Sequence, residues 1–169
     1  PSIMLYYLDS SAWVKRYFEE IGSEVVEGLF SQSETLGCSP LGLVEVGSAM
    51  ARKRTAGTVT VGEFEARRES LLKDWHHFLR SEPSPATMQR AFDLTDTCSL
   101  RGADAVHLAS ALALKEELEL GSDEFTFVVS DAELKAAAIK VGLTVLDPQE
   151  EELGSDEFTF VVSDAELKA

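Results

Sequence analysis

Short apolar runs alternate with longer helical stretches along the chain up to residue 150. The continuous apolar runs at residues 3–8 and 125–129 are typical of strands that are buried on both faces of a sheet. Weaker signals predict short strands at 36–38 and 143–146. Because helical stretches separate these runs, the pattern predicts an α/β fold in which helices cover both faces of a parallel sheet.

Capping residues and amphipathic spacing locate the helices. Ser39 and Pro40 form a helix start, since serine caps well and proline is tolerated at the first helical position. Thr60 and Glu63 have the spacing of a capping box and begin a long amphipathic helix. The predicted helices are residues 10–29, 40–54, 60–79, 87–94, 101–119 and 132–141.

The segment 119–136 recurs without a single change at 152–169. Repeat architectures diverge in sequence and need about three copies, so we interpret the second copy as an addition to the fold. We therefore expect residues 1–150 to form one domain and residues 151–169 to be an added tail. The tail's copy of the apolar run could pair with a sheet edge or displace its twin.

Composition and charge restrict the class of protein. Two widely separated cysteines, Cys38 and Cys98, suit neither a disulfide framework nor a zinc site, so we expect reduced thiols in a cytoplasmic protein. No apolar run approaches the roughly 18 residues needed to span a bilayer, so no membrane partner is expected. The net charge of −15 is unusual for a protein that binds nucleic acid. Bound cations reverse the local charge of a carboxylate site, whereas simple solubility is the other interpretation.

Two acidic residues follow the two strongest strand signals. Asp9 comes directly after the first apolar run, and Asp131 comes after the second run and Ser130. In open parallel sheets, sites form at the carboxyl ends of the strands. The alternative for each acid is a helix N-cap, since each also precedes a helix.

Two further acids are isolated within apolar helices. Glu45 is the only charged residue in 35–51, and Asp104 is the only formal charge in 102–114. An unpaired buried carboxylate costs several kcal/mol unless it is protonated, paired or bound to a cation. The alternatives are a salt bridge to an arginine for Glu45, and a favourable position in the helix macrodipole for Asp104.

Carboxylates in this number favour metal-assisted phosphoryl chemistry. Mg²⁺ and Mn²⁺ prefer oxygen ligands, and a bound ion turns water into a usable nucleophile near neutral pH. Two ions about 3.5–4 Å apart can stabilise both the attacking and the leaving oxygen of a phosphodiester. The candidate catalytic residues and metal ligands are Asp9, Glu45, Asp104 and Asp131.

Four segments of the chain resemble the PIN-domain family, especially the VapC-type toxins of type II toxin–antitoxin modules. They read YLDSSAWVKRYFEE, SPLGLVEVGSAMAR, LRGADAVHLASAL and FVVSDAELKAAAIKVGLTVLDP. The third is the most specific, because the family often reads much like DALHLA there. The resemblance covers about residues 4–150 and implies a three-layer α/β/α sandwich around a central parallel sheet of four to five strands.

The resemblance also implies an activity and a set of roles. It implies a Mg²⁺- or Mn²⁺-dependent endoribonuclease that cleaves RNA, forms a homodimer and is held inactive by a cognate antitoxin. The four acids named above fall on the family's acidic positions, and Ser11 falls on the Ser/Thr that helps to order the site near Asp9. The family often has Thr or Ser two residues before its last Asp, where this chain has Val129. That departure leaves open whether Ser130 supports the site and whether Asp131 is a ligand.

Basic residues near the acids are candidate contacts for RNA phosphates: Lys15, Arg16, Arg52, Lys53 and Arg54. The alternative for the last three is a favourable interaction with a helix C-terminus. His107 is interpreted as a packing or surface group rather than as a general base.

Two other functions compete with the nuclease. A haloacid-dehalogenase-like phosphatase typically needs a second Asp two residues after the first, and this chain has Ser11 there. The other alternative is a PIN-like scaffold that binds RNA or protein without cutting it.

Overall fold

The computed structural model describes residues 4–32 and 34–154. Within those ranges, five parallel strands form one sheet in the order β3-β2-β1-β4-β5. The strands are β1 (Leu5–Leu8), β2 (Thr35–Cys38), β3 (Leu79–Arg80), β4 (Phe125–Val128) and β5 (Thr144–Leu146). The predicted α/β fold with a parallel sheet of four to five strands and helices in layers on both sides is confirmed.

The helices connect these strands. They are α1 (Ser10–Trp13), α2 (Ser23–Ser31), α3 (Pro40–Thr55), α4 (Val61–Trp75), α5 (Pro85–Thr97), α6 (Gly102–Glu117) and α7 (Ala132–Lys140). A single 3₁₀ turn, Val14–Arg16, continues α1. Both predicted helix starts are confirmed, since Ser39 caps α3 and Thr60 forms a capping box with Glu63 at α4.

The strand order places a reversal at the centre of the sheet. From β1 the chain moves outward through β2 to β3, and then crosses to β4 and continues in the opposite direction to β5. Because parallel crossovers are right-handed, this reversal puts helices on opposite faces and opens a crevice between the carboxyl ends of β1 and β4. Both strands are central and buried, with Tyr7 and Phe127 fully inaccessible to solvent.

The predicted helix at 10–29 is wrong, because the chain breaks it. After the 3₁₀ turn, α2 begins only after Gly22, which has a left-handed φ of +98°. A Cβ at Gly22 would lie 2.9 Å from the backbone carbon of Pro148, so glycine is needed there for close approach as well.

The predicted helix at 60–79 is too long. It ends at Trp75, because Trp75 and Phe78 turn inward onto Trp13, whose ring centroid lies 4.6 Å from that of Phe78. Leu79 then pairs with Gly37 in the short edge strand β3, which was not predicted from the sequence. A two-residue strand carries too little pattern to be recognised from hydrophobic periodicity.

The end of the described chain crosses the predicted domain boundary. Residues 148–154 are helical, and the Glu152 carboxylate accepts a hydrogen bond from the Gly22 N–H. The tail's copy of the β4 strand lies outside the described residues, so the prediction that it pairs with a sheet edge or displaces its twin stays a prediction.

Two expectations from composition concern the described residues. Cys38 and Cys98 are both free thiols, as expected, and Cys38 is buried. None of the helices in the described ranges is long and apolar enough to cross a membrane.

Candidate active site

Asp9 lies at the carboxyl end of β1, where the strand passes into α1. Its N–H donates to the Val128 carbonyl oxygen at 3.1 Å, and its carboxylate caps α1 by accepting from the Ala12 N–H at 3.1 Å. The residue is only 2% exposed. Burial raises the pKa of Asp9 to about 6, although the charge of His107 and the hydrogen bond from Ser11 oppose that change. Asp9 is therefore both an N-cap and a deeply buried acid.

Ser11 connects Asp9 to the loop that follows β4. Its Oγ lies 2.8 and 2.9 Å from the two carboxylate oxygens of Asp9, and it accepts a hydrogen bond from the Ser130 N–H at 3.1 Å. The Ser130 hydroxyl is buried and has no hydrogen-bond partner within the described part of the chain. Ser11 thus holds Asp9 in place, and Ser130 takes part through its backbone.

Asp104 enters the same region from the first turn of α6. The small residues Gly102 and Ala103 precede it, and its side chain is 16% exposed. Its Oδ2 lies 3.4 Å from Nη2 of Arg101, but among the described residues this buried oxygen has no partner with hydrogen-bond geometry. Burial, together with the charge of Asp131, raises the pKa of Asp104. A buried carboxylate oxygen without a hydrogen bond is costly, and a ligand with a positive charge would relieve that cost.

Asp131 is the N-cap of α7 and, like Asp104, lies close to the guanidinium of Arg101. Its Oδ1 accepts from the Leu134 N–H at 2.9 Å, and its Oδ2 lies 3.4 Å from Nη2 of Arg101. The same guanidinium nitrogen lies 3.4 Å from Asp104. Because the Arg101 side chain is 73% exposed, solvent screens both ion pairs, and each contributes at most about 1 kcal/mol. Arg101 is therefore a weakly held counter-charge between two acids.

Glu45 reaches the site from α3 and pairs with a histidine. Its side chain is 30% exposed and its Oε1 hydrogen-bonds with Nε2 of His107. Burial by itself raises the pKa of Glu45, but the hydrogen bond and the charge of His107 outweigh burial and lower it. The alternative of an arginine salt bridge is wrong, because the partner of this carboxylate is His107.

His107 is the residue at this site to which sequence reasoning assigned no role. It is 1% exposed and its Nδ1 lies 3.0 Å from Oη of Tyr7. Burial lowers the pKa of His107, but the nearby Cys38 side chain, the hydrogen bond with Glu45 and the Asp9 carboxylate raise it to about 10. Its position in the apolar stretch of α6 was a signal for burial, but helical periodicity cannot identify a partner on another helix.

The four predicted acids line one cavity of about 520 Å³. Since Asp9 and Asp131 follow β1 and β4, the cavity lies at the crevice that the strand order opens between them. Ser11, Arg52 and Arg101 also line it. The structure therefore brings together acids from four separate parts of the chain, as predicted from the sequence.

The cavity fits a divalent cation in the chemistry of its donors. Every acid offers the oxygen ligands that Mg²⁺ and Mn²⁺ prefer, and one oxygen of Asp104 is buried without a hydrogen bond among the described residues. As the side chains stand in the described ranges, no three His, Cys, Asp or Glu groups are close enough to hold an ion between them. Arg101 Nη2 lies 3.4 Å from one oxygen of Asp104 and 3.4 Å from one oxygen of Asp131, so its guanidinium lies against two of the acids. Binding of an ion would therefore require Arg101 to release its carboxylates.

Two of the candidate RNA contacts are already paired and do not line the cavity. Lys15 is buried and its Nζ lies 2.9 Å from Oε1 of Glu20. Arg16 donates to Glu27 at 2.9 Å and to Asp74 at 3.3 Å. Their cationic groups are engaged by carboxylates, which makes them weak candidates for binding phosphate.

The three basic residues at the end of α3 differ in position. Arg52 lines the cavity and is exposed. Lys53 and Arg54 lie over the rings of Phe18 and Phe64, at 4.8 and 4.3 Å from the ring centroids. Of the three, Arg52 alone lines the cavity that the carboxylates also line.

The sequence matches known proteins over most of its length. The family model for the PIN domain matches residues 6–140. Ribonuclease VapC49 of Mycobacterium tuberculosis (strain ATCC 25618 / H37Rv) is 33% identical over 149 residues, which cover 86% of this chain and 96% of that protein.

Solved structures of similar fold are more distant in sequence. PAE2754 from Pyrobaculum aerophilum superimposes with a TM-score of 0.59 at 20% identity, covering 84% of this chain and 83% of that one. A toxin–antitoxin complex from Klebsiella pneumoniae gives a TM-score of 0.56 at 12% identity, covering 85% and 97%. Identities this low bear on the fold alone. With the family match and the VapC relative, they lead to one conclusion: this chain belongs to the PIN domain family.

Proposed function

We propose that this chain is an endoribonuclease that cleaves RNA phosphodiester bonds with Mg²⁺ or Mn²⁺ held by Asp9, Asp104 and Asp131, with Glu45 completing the acidic set. The single observation that carries the proposal is the convergence of these four acids on one cavity at the crevice between β1 and β4. The ribonuclease named among its relatives supports the same reaction.

In this proposal, some residues of the cavity would bind the metal ion and others would contact the RNA. A bound Mg²⁺ or Mn²⁺ supplies Lewis-acid activation of water and neutralises charge on the phosphodiester. Asp9, fixed by Ser11 and by its role as an N-cap, would provide a rigid ligand for that ion. Arg52 and Arg101 line the cavity and would meet the negatively charged phosphates of the RNA.

The biological setting in this proposal is a toxin of the VapC type. Its partners would be RNA, a cognate antitoxin that holds it inactive, and a second copy of the chain in a homodimer. Similarity of fold to a toxin–antitoxin complex supports the antitoxin partner. The free thiols of Cys38 and Cys98 are in keeping with a cytoplasmic setting, which is part of the same proposal.

One observation favours the alternative of a scaffold that binds without cutting. Arg101 lies against both Asp104 and Asp131, and a guanidinium that stayed there would neutralise the acids in place of a metal ion. Its exposure of 73% argues against a permanent position, since exposed side chains exchange partners readily.

Cleavage of a structured RNA in Mn²⁺ tests the proposal. The wild-type chain is expected to cut the RNA and to lose that activity in EDTA, and Asp9→Asn is expected to abolish it. Asp96→Asn is the matched control, because Asp96 is an exposed acid outside the cavity. Equal cutting by wild type and Asp9→Asn would show that the activity is a contaminant and that the proposal is wrong.

A further inference from the structure

A buried chain of polar groups leads from the central strand to Glu45. The Ser39 N–H donates to Oη of Tyr7 at 3.2 Å, and that Oη lies 3.0 Å from Nδ1 of His107. The opposite ring nitrogen of His107, Nε2, bonds to Glu45. Tyr7 and His107 are 0% and 1% exposed, so the hydrogen bond between them is shielded from solvent.

The geometry determines which group carries each hydrogen atom in this series of hydrogen bonds. Tyr7 accepts from Ser39, so its own hydroxyl hydrogen is free to donate to Nδ1 of His107. A neutral His107 then carries its hydrogen on Nε2, and a doubly protonated His107 carries one there as well. In both states Nε2 donates to the Glu45 carboxylate.

The elements packed around the His107 imidazole restrict its position. Cys38 at the end of β2 and Asp9 at the end of β1 face it, and Tyr7 meets it edge to face with ring centroids 6.1 Å apart. A Cβ at Gly42 of α3 would lie 2.4 Å from Sγ of Cys38 and 3.4 Å from Cε1 of His107. The imidazole is thus held in one orientation by two strands and a helix at once.

We propose that His107 is a positioning residue, which uses the rigid Tyr7 contact at one nitrogen to fix the Glu45 carboxylate with the other. This inference rests on the proposed function, because it concerns the direction in which Glu45 faces the cation. Groups that orient metal-binding side chains typically contribute about 10–100-fold to metal affinity when tested by substitution. Without His107, the partly exposed Glu45 side chain would sample several rotamers. Binding a cation would then cost the conformational entropy of fixing one of these rotamers.

Titration of the metal-free protein with Mn²⁺, followed by calorimetry, tests the inference without using activity. His107→Leu removes the donor and is expected to weaken Mn²⁺ binding at least about tenfold. His107→Gln places an amide donor near the position of Nε2 and is expected to recover most of that loss. Tyr7→Phe leaves the histidine but removes its anchor, and is expected to fall between wild type and His107→Leu.

The controls separate this inference from its premise. His76→Gln changes an exposed histidine and is expected to bind Mn²⁺ as the wild type does. If His107→Gln and Tyr7→Phe are folded and bind Mn²⁺ like wild type, while His107→Leu loses only thermal stability, the positioning role is overturned and the nuclease proposal stands. If the wild type itself binds no Mn²⁺ and cuts no RNA, the proposed function fails first and the inference with it.

Discussion

At the scale of single residues, the four carboxylates differ in how much the fold tolerates their charge. Asp9 is the most buried, and its hydrogen bonds from Ser11 and Ala12 do not fully offset the loss of water. An ionised acid in that position lowers stability in the metal-free protein. Such a local cost is common where a residue is retained for binding or catalysis rather than for folding.

Replacing Asp9 by Asn is expected to stabilise the metal-free protein at neutral pH. The folded-state pKa of Asp9 is raised from 3.8 to about 6, so the folded protein holds this proton more tightly than the unfolded chain does. The wild type therefore loses stability as pH rises from about 4 to 6 and loses no more above that, by roughly 3 kcal/mol in all. Asn carries no charge and still caps a helix. Urea unfolding in EDTA at pH 5 and pH 8 measures the difference, and an advantage for the variant that does not grow with pH would contradict this expectation.

Arg101 is expected to compete with the metal ion. Its guanidinium lies 3.4 Å from one oxygen of Asp104 and from one of Asp131, and both must be released for a cation to bind them. Arg101→Gln should therefore tighten Mn²⁺ binding, by up to about thirtyfold, because it removes two exposed ion pairs that contribute no more than about 1 kcal/mol each. Arg90→Gln, in an exposed pair with Glu116, is the matched control. If wild type and Arg101→Gln bind Mn²⁺ with equal affinity, the guanidinium does not compete with the ion for Asp104 and Asp131.

At the scale of elements, the position of α3 depends on a glycine. Gly42 lies where α3 passes the end of β2, and a side chain there would collide with Cys38. Glu45 follows within one helical turn, so the close approach at Gly42 sets the distance from Glu45 to His107. Apart from its chain neighbours and the backbone of its own helix, a Cβ at Gly47, farther along α3, would meet no atom of the described residues within 4 Å.

Replacing Gly42 and Gly47 of α3 by alanine is expected to change the free energy of unfolding in opposite directions. Gly42→Ala should lower the free energy of unfolding by about 1–3 kcal/mol, because an overpacked contact forces the helix to shift. It should also reduce Mn²⁺-dependent cleavage, since Glu45 moves with the helix. Gly47→Ala should raise the free energy of unfolding by up to about 1 kcal/mol and leave cleavage unchanged. Urea unfolding and an RNA cleavage assay on both variants decide the matter, and like behaviour of the two would refute the role of Gly42.

The elements also show where prediction from sequence succeeds. Strands β1 and β4 and the starts of α3 and α4 follow from apolar runs and capping residues, which are local signals. The break near Gly22 and the edge strand at Leu79 follow from contacts with Pro148 and Gly37, which are distant along the chain. Hydrophobic periodicity is a local signal and does not report those contacts. The sequence therefore predicted one unbroken helix at 10–29 and a helix at 60–79 that is too long.

At the scale of the whole molecule, the site exists because the strand order reverses between β1 and β4. The sequence predicted which acids converge, because acids at strand ends and isolated acids in apolar helices are visible in the chain. It did not predict that His107 would hold Glu45 or that Arg101 would lie between Asp104 and Asp131. Those pairings depend on how α3, α6 and α7 are placed around the crevice, which only the folded chain determines.

The boundary of the folded unit can be tested by truncation. A chain ending at Gly154 keeps the hydrogen bond between Glu152 and Gly22 and is expected to melt at the same temperature as the full chain. A chain ending at Glu150 loses that bond, worth about 1 kcal/mol, and is expected to melt about 2–4 °C lower. Calorimetry and size-exclusion chromatography compare the three. A changed melting temperature or oligomeric state on truncation after Gly154 would mean that the duplicated segment pairs with the sheet.

The most direct test of metal binding by the converging acids is anomalous diffraction from crystals grown or soaked in Mn²⁺. We expect an anomalous peak in the cavity, with ligands from Asp9 and from Asp104 or Asp131, and with the Arg101 guanidinium moved away from both of the latter. An empty cavity at saturating Mn²⁺, with Arg101 still against Asp104 and Asp131, would contradict the proposed metal site.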